Sequence, residues 1–392
     1  MRPDEGGQVL FAGDRLTLAR QLAGLRKSEL AARIQRSATA VAAWETGAKR
    51  PTAANVSELA IGLGVAPSFF APRGAALVAD NAVPHFRSLR STSQKARDQA
   101  FAYGLIAVDI ANAIEKHIEF PNVDVPPVHV DVDATGDEPE QAARAVRTAW
   151  GLGSGPLKHL VRLVEHHGVL VVFSPQQAST VDAYSFDSFA RPVIVLNPVK
   201  QDYYRQRFDV AHELGHLVMH HDAEPGSRAV EEQANRFAAE FLMPADEVRA
   251  QLPTSMGART WDALGALKEE WGVSLQALLF RARRLGCLSD VSYRNAMVTL
   301  SQRGWRRHEP GLVTAIEQPS MLPRSIEVMD GAGITRDSLV DQARVPVGLF
   351  ETVVARTPLL TDALDTNDDR AAPVVSLLPR IAANSAAARK DG

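Results

Sequence analysis

The chain has 392 residues, 45 % of them hydrophobic and 23 % charged, the balance of a soluble globular protein long enough for two or three domains. No apolar run approaches 18 residues and the N-terminus lacks a signal-peptide core, so a cytoplasmic protein without membrane attachment is expected. The single cysteine, Cys287, excludes an intramolecular disulfide and reads as a small core residue in a Leu-rich stretch. The net charge of −3 is unevenly spread: residues 1–98 hold 14 Lys+Arg against 8 Asp+Glu, which points to a nucleic-acid-binding module there.

Residues 13–70 read as four or five short helices. Leu16, Ala19 and Leu22 give the first an apolar face, and Ser28–Ile34 and Thr39–Trp44 form the next two. Gly47 and Pro51 end the third, and Thr52 is placed to cap a fourth with Val56, Leu59 and Leu63 inward. Two short helices and a tight turn in a basic segment are the ingredients of a helix-turn-helix. Leu30-Ala31 followed by Val41-x-x-Trp44-Glu45-x-Gly47-x-x-x-Pro51 resembles the Cro/phage-repressor (XRE) family. That resemblance implies operator DNA as partner and Ser37–Ala43 as recognition surface, with Ser37, Thr39, Ala40 and Ala43 towards the bases. It sets Lys27, Arg36, Lys49 and Arg50 near phosphates. Lys27 stands where the family usually has Gln, and alanines crowd the recognition helix. Alanine touches a thymine methyl but cannot hydrogen-bond a base edge, so weak sequence discrimination is expected. A helical interaction domain that never touches DNA is the alternative.

Residues 75–83 read as a linker, followed by Arg87, Arg90, Lys95 and Arg97 near a helix start. Ile106, Ile110, Ile114 and Ile118 then recur every fourth residue in a helix. The acidic loop Asp131–Asp137 invites a calcium-loop reading, but Ala142 stands where a bidentate Glu is required, and a solvated turn is expected instead. Gly168–Phe173 and Pro192–Leu196 are β-branched runs read as adjacent strands.

The helix that follows carries His212-Glu213-Leu-Gly-His216. Two histidines four apart lie on one helix face, about 6 Å apart along the axis, and can share a metal ion. The motif alone is weak, so the next helix matters. Between Val230 and Met243, Glu231, Ala234, Ala238 and Leu242 share one stripe, and the small alanines allow a close approach that brings Glu231 to the ion. Two His and one carboxylate with an open fourth position is the catalytic zinc arrangement. Glu232 is the rival ligand but points about 100° away. His220 lies about 12 Å along the helix from His212, too far to share the ion, and reads as a supporting group. Met219 and Asp222 exclude the extended metzincin pattern.

Arg207-Phe-x-x-Ala-His212-Glu213-Leu-Gly-His216 with Glu231-x-x-Ala-Asn235-x-Phe237-Ala238 and Leu242-Met-Pro244 resembles the ImmA/IrrE metallopeptidase family over about residues 84–290. The resemblance implies a compact α/β zinc peptidase with a small sheet, which often acts with an XRE domain and cleaves a repressor. With zinc on His212, His216 and Glu231, Glu213 is the expected general base. Tyr184, Tyr203 and Tyr204 are available as oxyanion donors, with packing as the blander role. A strand at Val193–Leu196, if at the sheet edge, would hold substrate by strand addition.

Arg303, Trp305, Arg306 and Arg307 form a basic aromatic patch, and two short helices are expected at 337–343 and from Pro346. The expected fold is α+β and mainly helical. It comprises an XRE domain (1–74), a linker (75–83), a zincin-like domain (84–290), and a helical C-terminal region (291–392) with a frayed tail, suited to sensing or homodimerisation. The expected function is a DNA-binding regulator with a zinc endopeptidase that cleaves a repressor or related regulator. The alternatives are a sensor or structural zinc domain, an antitoxin-like partner, and a peptidase that clips its own linker.

Overall fold

A computed structural model describes residues 10–72, 85–86, 93–175, 183–188, 190–200, 202–221, 227–306, 308–311 and 314–357. The expected linker at 75–83, Arg87, Arg90, Asp222, Arg307 and the tail lie outside them. The fold is α+β and mainly helical, as the sequence indicates.

The first four helices are α1 (Gly13–Leu22), α2 (Lys27–Arg33), α3 (Ala38–Glu45) and α4 (Ala53–Leu63). Ser37 caps α3 by accepting from the Ala40 amide, and Thr52 caps α4 by accepting from the Asn55 amide. The tight α2–α3 turn places Gln35 at φ 53°, a left-handed conformation. Leu16, Leu30, Val41 and Leu59 are fully buried between these helices.

Helix α5 (Gln94–Glu115) is 22 residues long and buried on most sides, so it is an interior element. It carries the helix-turn-helix on one flank: Arg15 of α1 pairs with Asp109 at 2.5 Å, and Gln99 donates to the Leu22 carbonyl. Its other flank faces a sheet of β1 (His85–Phe86), β2 (Leu170–Phe173), β3 (Tyr184–Phe186) and β4 (Val193–Leu196), in the order β1-β3-β4-β2. β2 and β4 are adjacent and parallel, while β3 runs antiparallel to β4. β4 is therefore interior, not an edge. Its backbone groups are committed to both neighbours, so the edge position on which strand addition at Val193–Leu196 depended is not met.

The two faces of the sheet serve two cores. Leu170, Val172, Tyr184, Phe186, Val193 and Val195 join α5 and the helix-turn-helix. Val171, Phe173, Ile194 and Leu196 join the metal-motif helices instead. Alternation along a strand dictates this division. Gly104 of α5 lets the sheet come close, since a Cβ there would sit 2.6 Å from the Phe186 ring.

Beyond the sheet lie α6 (Glu138–Ala149), α7 (Leu160–His166), α8 (Tyr203–Met219) and α9 (Arg228–Leu242). Then come α10 (Ala245–Val248), α11 (Ala258–Trp271), α12 (Leu275–Arg284) and α13 (Asp290–Gln302). The last three helices are α14 (Met321–Gly331), α15 (Arg336–Ala343) and α16 (Val347–Val354). They return to α5 and share its core rather than building one of their own. Three glutamates fasten the chain on the way by accepting from helix N-terminal amides far away in sequence. Glu309 takes Leu275, Glu317 takes Val161, and Glu165 takes Ser320 and Met321. Burial pushes the Glu165 carboxyl up. Cys287 is half-buried at the edge of the second core.

Candidate metal centre and DNA-reading helix

Helix α8 is buried on almost every side, and α9 lies close against it. Gly215 is what the approach requires: a Cβ there would stand 3.0 Å from the Phe237 ring. Ala234 and Ala238 are also fully buried. This contact brings together His212 and His216 of α8 and Glu231 of α9, each offering one ligand atom, all within 4.8 Å of one another. Glu231 lies 3.4 Å from His212 Nε2 through one oxygen and 3.7 Å from His216 Nε2 through the other. Glu232 is solvent-exposed.

The hydrogen bonds around the histidines fix which ring nitrogens point inward. His212 Nδ1 is 3.1 Å from Asn235 Oδ1 and donates to it, leaving Nε2 unprotonated. His216 is set by a longer chain. Gln233 Nε2 donates to the carbonyls of Asp131 (2.8 Å) and Val132 (3.2 Å), so its Oε1 must be the acceptor facing His220 Nε2 at 3.0 Å. His220 then has its proton on Nε2 and accepts at Nδ1 from His216 Nδ1, also at 3.0 Å. Burial lowers the His220 pKa, which keeps that ring neutral. His216 Nε2 is left with a lone pair aimed at His212 Nε2, 3.0 Å away.

Two unprotonated nitrogens in that opposition repel unless a cation lies between them. Glu231 Oε1 is buried and without a hydrogen-bond partner, a further sign of an unmet demand. The donor set fits a divalent metal: two imidazole nitrogens each about 2.0–2.1 Å from a tetrahedral ion stand about 3.3 Å apart. His220 is not in the group, as its distance along the helix requires.

Glu213 is 1 % exposed, and Ser185 Oγ donates to its Oε2 at 2.7 Å. Ser185 points from β3 towards α8, while its neighbours Tyr184 and Phe186 point towards α5. Nothing in the sequence singled out Ser185 or Gln233 as part of the site, and Asn235 stood in the family motif without a role. Asn235 alone had a legible signal, one turn from Glu231 on the same helix. The tyrosines are packing groups: Tyr184 donates to the Ala100 carbonyl, Tyr203 meets Tyr204 edge to face, and Lys268 lies over the Tyr204 ring.

A cavity of about 990 Å³ opens beside Glu231 and Asn235, walled by α8, α9, α12, α13, Arg306 and Glu309. In the basic aromatic patch, Arg303 lies over both Trp261 and Trp305, so that part of it is packing.

In the helix-turn-helix, Ser37 and Thr39 are exposed and Ala40 and Ala43 half-buried. The Ser37 hydroxyl is occupied as the α3 cap. Lys27 pairs with Glu45 at 3.4 Å and Arg36 with Glu58 at 2.7 Å, whereas Lys49 and Arg50 are exposed. Ion-paired side chains must exchange partners to reach a phosphate; Lys49 and Arg50 have no partner among the described residues.

Comparison with known families agrees with both halves. Residues 164–283 match the IrrE N-terminal-like domain, a peptidase family, and residues 16–70 match the helix-turn-helix family. The chain is thus a fusion of an XRE-type helix-turn-helix domain with an IrrE-like domain. The first implies DNA binding, and the second a metallopeptidase-like domain of a typically metal-dependent family. No curated protein matches the chain. Among the described residues, no helix is long and apolar enough to cross a membrane.

Proposed function

We propose that this protein is a cytoplasmic DNA-binding regulator whose IrrE-like domain is a zinc-dependent endopeptidase acting on a repressor or related regulator. The observation that carries the reading is the convergence of His212, His216 and Glu231, the last of them on the wall of a large cleft. Bound there, zinc would supply Lewis acidity and an activated water. Asn235 and the His220–Gln233 pair keep the two imidazoles in the ligating tautomer. Glu213 takes the proton of the attacking water and returns it to the leaving amine, with Ser185 holding the carboxylate.

A second reading, in which the zinc domain senses without turnover, draws on the near-complete burial of Glu213. One set of variants separates the two. Stoichiometric zinc is expected in the wild type and lost in His212→Ala and Glu231→Ala; unchanged metal content there would sink the ligand assignment. Glu213→Gln is expected to keep zinc and abolish cleavage of a co-expressed repressor, read by mass spectrometry. Full cellular function in that variant would favour the sensor.

A further inference from the structure

We propose that the cleft beside Glu231 selects an acidic stretch of polypeptide carrying one bulky apolar side chain. We further propose that α13 and the residues after it supply the selecting wall. The proposal rests on the peptidase reading of the metal centre and names its substrate class.

The floor is apolar. Phe208 of α8, Phe280 of α12, and Tyr293 and Met297 of α13 line the cavity and are each only half-buried. Large apolar side chains kept half-exposed in one concave site mark a place for another apolar group.

The rim is charged, and its charges differ in whether they are already engaged. Glu231 belongs to the metal group, and Asp202 accepts from the Arg205 amide at the start of α8. Glu309 accepts from the Leu275 amide and pairs with Lys268 at 2.9 Å. Asp209 is buried. By contrast, Arg205, Arg228 and Arg306 are exposed, and their guanidinium groups have no partner among the described residues. Glu232 opposes them, as does Asp202, whose charge the amide hydrogen bond leaves in place. Uncommitted charge is what a ligand meets, and here three arginines, from α8, α9 and the segment after α13, outnumber two carboxylates. Arg228 stands one turn before Glu231 on α9, so an acidic side chain held there lies next to the metal centre.

Tyr293, Met297 and Arg306 lie beyond the matched segment 164–283. The peptidase-like core thus brings the metal ligands, and the following segment brings part of the wall that decides what enters.

The test uses the full-length Glu213→Gln protein loaded with zinc and three fluorescein-labelled ten-residue peptides at about 0.1 M salt. One has a central Phe flanked by Glu, one the same Phe flanked by Lys, and one Ala in place of Phe between Glu residues. Anisotropy is expected to show the first binding at least tenfold tighter than either other. Arg228→Glu with Arg306→Glu should erase the charge preference, and Met297→Asp the Phe preference, with circular dichroism and zinc content unchanged. The arginines are exposed, so their replacement leaves the core intact even where Met297→Asp does not. Equal binding of the three peptides, a preference for the Lys peptide, or a charge preference that survives the arginine changes would overturn the proposal. Selective binding of the acidic Phe peptide that the wild type does not cleave would support this cleft assignment while counting against the peptidase reading.

Discussion

Replacing His220 with Leu tests whether a residue outside the metal group governs the metal. The ring of His220 accepts from His216 Nδ1 and donates to Gln233, whose amide is pinned by the Asp131 and Val132 carbonyls. Leucine fills a similar volume but offers no acceptor, so His216 loses the bond that holds its proton on Nδ1. Supporting groups of this kind typically change metal affinity 10- to 100-fold, or about 1.4–2.7 kcal/mol. Zinc affinity measured by competition with a chromophoric chelator should fall in that range for His220→Leu and by less for Gln233→Leu. The double variant should be no weaker than His220→Leu alone, because both changes cut one chain. Nitrogen-15 spectra of the metal-free protein should show His216 Nε2 unprotonated in the wild type and mixed tautomers in His220→Leu. Wild-type zinc affinity in His220→Leu, or strictly additive losses, would refute the relay.

Three further outcomes follow from the same structure. Arg15→Ala should destabilise the fold by about 3–5 kcal/mol in urea unfolding, because the buried Asp109 loses the guanidinium it pairs with. Arg15→Met with Asp109→Leu should recover much of that loss, and a double variant as unstable as the single would contradict the account. Tyr103 and Tyr184 have pKa values raised by burial, so folding stability is full below pH 10, their unfolded pKa, and declines as pH rises above it. Each contributes about 1.4 kcal/mol per pH unit in that window, and Tyr103→Phe should flatten the alkaline limb of the unfolding midpoint by one proton's worth. For DNA, Lys49→Ala and Arg50→Ala should each reduce the slope of log affinity against log salt by about one, while Ser37→Ala should cost folding stability through its cap.

Local pattern alone was enough for the features whose physics is local. His212 and His216 share a face because a helix repeats every 3.6 residues, and the stripe of Glu231, Ala234 and Ala238 announced a helix able to approach them. The turn of the helix-turn-helix and its Thr52 cap were legible for the same reason, as were the two C-terminal helices at 336–343 and 347–354, whereas the capping role of Ser37 was not. The supporting groups were not. Gln233 depends on the carbonyl of Asp131, a residue 102 positions away in a loop the sequence offered only as a solvated turn. Ser185 lies on a three-residue strand too short to show alternation, and Val193–Leu196, whose place in the sheet the sequence left open, became an interior strand once β3 paired with it. Tertiary structure likewise decided that α14–α16 join the helix-turn-helix core and that α13 walls the cleft. Periodicity tells a side chain which face of its own element it occupies. Which distant carbonyl, carboxylate or strand meets that face is fixed only when the chain closes on itself, because a polar residue's pattern is the same whether water or a buried partner awaits it.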